Sequence, residues 1–227
     1  MKKITKKYLT DSELEEHINQ IDDYMVHLPS VHYNKSLVEG YRNIVVVGTQ
    51  RSGTTFTGKV IAKDLGYTYK DENTFNIRDE SKFLKLNNQK KSKLVFQAPA
   101  LTYKMHKLVT DDDLVIFMNR NWSDILRSVK RKNKKLSQYI FLKGDESMYE
   151  LQYNKYIEYD SGYSKLFDNN IDDSDKYAFS LPYKAWLYYQ QDIIKNTLTL
   201  DYESLQIHPM WLDKDKRKNF KPKQTKL

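Results

Sequence analysis

The stretch from Asn43 to Leu65, N-I-V-V-V-G-T-Q-R-S-G-T-T-F-T-G-K-V-I-A-K-D-L, constrains the fold of this chain more than any other. Ile44, Val45, Val46 and Val47 form an unbroken β-branched run, which suits a strand buried on both faces. Helical spacing begins only after Gly53, where Phe56, Val60, Ile61 and Leu65 recur on one side and Gly66 follows as a stop. The stretch therefore predicts a strand, a tight turn and a helix over 54–65. In such a turn successive backbone N–H groups converge, and the helix opening near Thr54 directs its positive dipole end and its unpaired donors at the same point. The expected ligand is an anion, and a phosphate suits it best.

Gly48 and Gly53 have the spacing of the Walker A loop, G-x-x-x-x-G-K-[ST], but the lysine is missing. Thr54 stands in its place, and Arg51 is the only cation between the glycines. That weighs against hydrolysis of a nucleoside triphosphate and for another phosphorylated donor.

Composition narrows the class. A chain of 227 residues can bury a full core and falls in the range of one α/β domain, so a single domain over 1–227 is expected. There is no cysteine, and the five histidines lack H-x-x-x-H spacing, so no metal site is expected. The start, M-K-K-I-T-K-K-Y-L-T-D-S, has the cations of a signal peptide without its apolar run, and no apolar stretch is long enough to span a bilayer. A soluble, cytoplasmic protein with no membrane partner is the expectation. The formal charge of +8 indicates attraction to anions, concentrated in K-R-K-N-K-K at 130–135 and K-D-K-R-K-N-F-K-P-K at 214–223. No helix-turn-helix, zinc-finger or RNP-like pattern accompanies that charge, which argues against a nucleic-acid partner.

In chain order, residues 1–40 read as polar and helical in part, with Thr10 or Asp11 as an N-cap, and are expected to cover one face of the sheet. Tyr67–Lys70 reads as a second strand that delivers Asp71 and Glu72 at its end, the edge where open α/β sheets place ligands. Lys93–Gln97 reads as a third strand, Leu101–Val109 as a short helix, D-D-D at 111–113 as a solvated turn and Leu114–Met118 as the most apolar strand. A helix then opens at Ser123 and Asp124, with Ile125, Leu126 and Val129 facing inward. From 133 to 180 periodicity dissolves, giving either a variable, acceptor-facing region or a disordered insertion. Leu181–Asn196 recovers helical spacing, Thr197–Asp201 reads as the last strand, and 206–227 is a basic C-terminal segment. The fold class is α/β: a three-layer sandwich around a central, mainly parallel sheet, of the P-loop nucleotide-binding type.

The octet G-T-Q-R-S-G-T-T closely resembles the 5′-phosphosulfate loop of sulfotransferases, which use 3′-phosphoadenosine-5′-phosphosulfate (PAPS). In that family a lysine or arginine precedes S-G-T-T, and Arg51, Ser52, Gly53, Thr54 and Thr55 match it position by position. Arg120 at a strand end and Ser128 eight residues later resemble the pair that holds the donor's 3′-phosphate. Two turns of helix would return the hydroxyl to the face of the guanidinium. D-Y-E-S-L at 201–205 resembles the family's Y-E-D-L segment, which implies that Tyr202 lies close to the adenine. Arg217 and Lys218 stand where many members bring a basic loop over the 3′-phosphate, with R-K-N in place of R-K-G.

The resemblance covers about 43–205, and Arg51 makes the loop look more like the tyrosylprotein and bacterial type than the lysine-bearing cytosolic type. It implies transfer of a sulfuryl group from PAPS to an acceptor hydroxyl or amine, with no metal required. Glu72, 21 residues after Arg51, is placed similarly to the catalytic glutamate of the arginine-bearing members. His106 in K-M-H is the rival, since cytosolic members use the histidine of K-T-H, and Asp71 and His32 remain as further candidates. Two other classes stay open: a P-loop kinase-like nucleotide enzyme, and a basic nucleic-acid-binding module.

Overall fold

The computed structural model describes residues 29–48, 51–89, 92–132 and 193–212, together with Thr10, Ser12, Glu15, Glu16 and Asn19. The chain divides into two compact units, one formed by Leu28–Arg120 with Gln190–Leu227 and the other by Met1–His27 with Asn121–Tyr189.

The first unit is an α/β fold built on a five-stranded sheet in which every pair is parallel. In chain order its elements are β1 (Asn43–Val47), α1 (Thr54–Leu65), β2 (Thr68–Asp71), α2 (Glu80–Asn87), β3 (Leu94–Gln97), α3 (Met105–Leu108), β4 (Asp113–Asn119) and β5 (Thr197–Asp201). A short helix, Pro209–Leu212, closes the described part. The strand order is β2-β3-β1-β4-β5. β1 is therefore central, and Val45 lies between Phe96 and Val115. Burial of β1 along its whole length accounts for its continuous β-branched run. α1 lays Val60, Ile61 and Ala62 on the same core as Val46, Val95 and Ile116. Each of the valines and isoleucines contributes roughly 1.5–3 kcal/mol by leaving water.

The amino edge of the sheet is fixed by polar contacts. Asp113 is fully buried and accepts from Arg42 Nη2 at 2.9 Å, from Asn87 Nδ2 at 2.8 Å and from the Thr110 N–H at 3.0 Å. Asn87 also accepts from Asn43 Nδ2 at 2.9 Å, and Asn43 Oδ1 takes the Leu94 N–H at 3.1 Å, so the starts of β1, β3 and β4 are joined. This corrects the reading of D-D-D as a solvated turn: Asp111 and Asp112 are exposed, but Asp113 opens β4. The expected helix at 101–109 is instead a 3₁₀ segment, Pro99–Lys104, that runs into α3. Beyond β5, Val31 forms an isolated parallel bridge with Leu200.

In the second unit Trp122–Lys132 is helical (α4), with Ser123, Ile125 and Ser128 buried. Ser12, Glu15, Glu16 and Asn19 are helical, and the rest of the N-terminal helix expected from sequence lies outside the described residues. So do 133–180 and most of 181–196. Among the described residues no helix is long and apolar enough to cross a membrane.

Candidate functional site

Strand order determines where a ligand can sit. After β1 the chain moves past β3 to β2, whereas after β4 it moves the opposite way to β5. The adjacent strands β1 and β4 are thus followed by strands on opposite sides of the sheet, which makes them a switch point, and sheets of this kind bind ligands outside the carboxyl ends of such strands. Arg51 follows one of these strands and Arg120 the other.

Among the described residues of the turn after β1, Gly48 at φ 145°, Arg51 at φ 72° and Gly53 at φ 99° have positive φ. Its entrance is pinned by Thr102, whose buried hydroxyl accepts the Gly48 N–H at 3.1 Å and donates to the Pro99 carbonyl at 2.7 Å. α1 starts with the Thr57 N–H on the Gly53 carbonyl at 3.0 Å, and no side chain caps it. The N–H groups of Thr54, Thr55 and Phe56 precede that first bond and are the donors such a helix offers an anion. Ser52 and Thr54 are buried within the turn, and Thr55 and Arg51 are exposed.

Arg120 meets this turn directly. Its Nη1 donates to the Arg51 carbonyl at 2.8 Å. Its guanidinium lies over the Tyr202 ring, 4.5 Å from the centroid, a cation–π contact. The Arg120 side chain is only 16% exposed, a carboxylate oxygen of Glu203 lies 3.9 Å from Nε, and Nε itself is buried with no hydrogen-bond partner among the described residues. A guanidinium carries five donors, so this one retains capacity for an anion. Tyr202 follows β5 and is held by its N–H on the Asn119 carbonyl at 2.8 Å. Its ring fills the space above Gly53, where an added Cβ would lie 2.1 Å from Cε2.

Glu72 stands one residue beyond β2 and is buried. Its Oε1 accepts from Arg78 Nη2 at 3.3 Å, and its Oε2 is buried without a donor among the described residues. Asp71 Oδ1 takes the Asn73 and Thr74 N–H groups at 3.0 and 2.7 Å, which commits it to the turn. His106 lies on α3, two residues before Leu108, whose carbonyl accepts from Asn87 in the amino-edge network. His106 thus lies between Thr102, which contacts the loop, and Leu108, which contacts the amino edge. His32 is 81% exposed, 3.8 Å from Asp201 beyond β5. Ser128 is buried on α4 in the second unit. Arg217 and Lys218 lie outside the described residues.

Three residues that sequence reasoning did not single out belong to this edge. Thr102 pins Gly48, as described above. Gln97 ends β3 with Nε2 3.4 Å from Thr54 Oγ1 and Oε1 3.5 Å from the Glu72 N–H. Tyr69 is fully buried with its hydroxyl unpartnered among the described residues, and burial, with Asp71 and Glu72 nearby, pushes its pKa up, so it remains a neutral phenol. A polar group ending an otherwise apolar buried strand is the signal that Gln97 carries in sequence.

No family model matches the chain, and a search of curated proteins returns no match.

Proposed function

We propose that the turn after β1 and Arg120 together bind PAPS, and that the protein is a sulfotransferase acting on an acceptor hydroxyl or amine. The observation that carries this reading is the contact of Arg120 with the Arg51 carbonyl, which brings the cation after β4 onto the turn after β1. A nucleotide with a phosphate at each end suits two such centres. In this reading the fold is of the P-loop nucleotide-binding type, and the protein acts in the cytoplasm.

The chemistry follows from the residues. Glu72, through the unpartnered Oε2, takes the acceptor proton as the acceptor atom bonds to sulfur. The bond from sulfur to the 5′-phosphate oxygen breaks, and the departing phosphate is held by Arg51, the hydroxyls of Thr54 and Thr55 and the N–H groups of the first turn. Tyr202 completes the donor side beside Arg120, and the resemblance adds Ser128, by its spacing from Arg120, with Arg217 and Lys218 as further candidates for the 3′-phosphate. A kinase-like reading is disfavoured because Thr54 replaces the Walker lysine and Gln97, an uncharged amide, ends the strand beside β1. A nucleic-acid reading is disfavoured because no recognition motif accompanies the charge and two of the cations of α4 are engaged: Lys130 pairs with Glu15, and Arg127 donates to Asn19.

The test is thermal unfolding with adenosine-3′,5′-bisphosphate beside ATP with magnesium and a DNA oligomer. Ligand at ~100 times its dissociation constant adds about 2.7 kcal/mol. At roughly 2–4 °C per kcal/mol, the bisphosphate should raise the midpoint by about 5–11 °C without magnesium. Arg120→Ala should nearly remove that shift. An equal or larger shift with ATP and magnesium would indicate a kinase-like enzyme, and salt-sensitive DNA binding without any nucleotide shift would indicate the binding module.

A further inference from the structure

Tyr202 sits where the turn and Arg120 meet, yet its place is set from behind by the segment that follows it. The indole of Trp211, on the closing helix Pro209–Leu212, meets Tyr202 edge to face with centroids 5.4 Å apart at 79°. The same indole meets Phe56, in the first turn of α1, at 5.0 Å and 80°. Trp211 thus touches both the helix whose amino end forms the exit of the turn and the ring that fills the space above Gly53. Edge-to-face pairs are directional, so each contact constrains orientation as well as filling space.

This segment is anchored well away from the turn. Asp64, near the carboxyl end of α1, accepts from the Tyr33 hydroxyl at 2.8 Å and lies 3.1 Å from His208 Nε2. The Met210 N–H donates to His208 Nδ1 at 3.2 Å, so Nε2 carries the hydrogen that faces Asp64. Burial and Asp64 push the Tyr33 hydroxyl up in pKa, which keeps it a donor. The Tyr33 N–H also donates to Ser204 Oγ at 3.1 Å. The segment is therefore held at both ends of α1, through Asp64 at one and Phe56 at the other.

We propose that Trp211 is a positioning residue for the turn: it backs Tyr202 against Gly53 and so holds Arg51–Phe56 in the shape that receives a phosphate. It touches no ligand itself. The proposal rests on the PAPS reading only for the identity of the nucleotide.

The test combines hydrogen exchange at the amides of residues 51–56, without ligand, with calorimetric affinity for adenosine-3′,5′-bisphosphate. Trp211→Ala should raise exchange there and weaken the bisphosphate roughly tenfold, the factor expected for losing two aromatic contacts. Trp211→Phe, which keeps a ring edge, should recover most of both. Phe83→Leu, in the separate Phe83–Phe96 contact of α2 and β3, should lower the unfolding midpoint and leave exchange at 51–56 unchanged. If Trp211→Ala fails to fold, Trp211→Leu carries the same expectation, because it fills volume without a ring. The proposal is overturned if turn exchange and affinity stay at wild-type values, or if Phe83→Leu raises turn exchange equally. Increased turn exchange in Trp211→Ala, in a protein that never binds the bisphosphate, would support the positioning role and refute the PAPS reading.

Discussion

Replacing Gly53 by alanine separates two costs that the structure assigns to this position. Gly53 lies at φ 99°, a conformation that costs an L-residue about 1–2 kcal/mol. A Cβ there would also lie 2.1 Å from Tyr202 Cε2 and 2.2 Å from Cδ2, so the ring must move. Tyr202 is only 8% exposed and packed against Trp211 and Arg120, so the movement should cost about 1–3 kcal/mol, as overpacking usually does. The sum is about 2–5 kcal/mol, or roughly 4–20 °C in the midpoint of a chain this size. Gly66 provides the comparison, since it lies at φ 68° but a Cβ there meets nothing within 4 Å. Gly66→Ala should therefore show the backbone cost alone. Calorimetric unfolding of both variants, and of Gly53→Ala combined with Tyr202→Ala, measures each part. The ring contact should appear as coupling of about 1–3 kcal/mol between positions 53 and 202. Equal midpoints for Gly53→Ala and Gly66→Ala, or no coupling to Tyr202, would refute this account of the turn.

Glu72→Gln should abolish most turnover and leave bisphosphate affinity nearly unchanged, because the base meets the acceptor and not the nucleotide; if His106→Ala has that phenotype instead, the base is His106. Asp113→Ala should cost about 3–5 kcal/mol in urea unfolding, since it strips a buried partner from Arg42, Asn87 and Thr110; a cost under about 1 kcal/mol would mean the amino-edge network is dispensable. Asp79 caps α2 through Ser81 and Lys82, and those hydrogen bonds hold its pKa below the ordinary 3.8. Its contribution is thus present above that value and lost as pH falls through the lower folded pKa, so the stability gap between wild type and Asp79→Ala should narrow in strong acid. A gap that stays constant with pH would contradict the charged cap.

Some of this was legible because the cause is local. The β-branched run of β1, the helical spacing ended by Gly66 and the strand Thr197–Asp201 fall where sequence places them. Other features depend on distant partners. β4 extends to Asp113 and Asn119 because its polar ends pair with neighbouring strands, which an apolar count cannot register. Asp113 looked solvated because Arg42 is 71 residues away. Arg51 and Arg120 each stood out as a cation after a strand, but the contact of Arg120 with the Arg51 carbonyl depends on β1 lying beside β4, a non-local fact of strand order. Thr102, Gln97 and Trp211 carry no motif, since their roles are set by what they touch across the fold.

Gln97 offers the last argument about charge at this edge. In phosphoryl-transfer enzymes with a loop of this kind, a carboxylate helps hold a divalent cation at the phosphates. Here the strand beside β1 ends in an amide within 3.5 Å of both Thr54 Oγ1 and the Glu72 N–H, so it links turn and candidate base without adding an anion. Because β3 lies between β1 and β2, Glu72 stands two strand spacings from the β1 end, on the order of 10 Å. Gln97→Glu retains the shape and changes the charge. A carboxylate about 6 Å from a bound phosphate, at an effective dielectric of about 20, repels it by roughly 2–3 kcal/mol. Bisphosphate affinity should then fall by a factor of roughly 30–160 without metal, and magnesium should restore part of it in the variant while doing little for wild type. Unchanged affinity, or equal responses to magnesium in both proteins, would show that Gln97 does not face the anion and that the neutral floor inferred here is wrong.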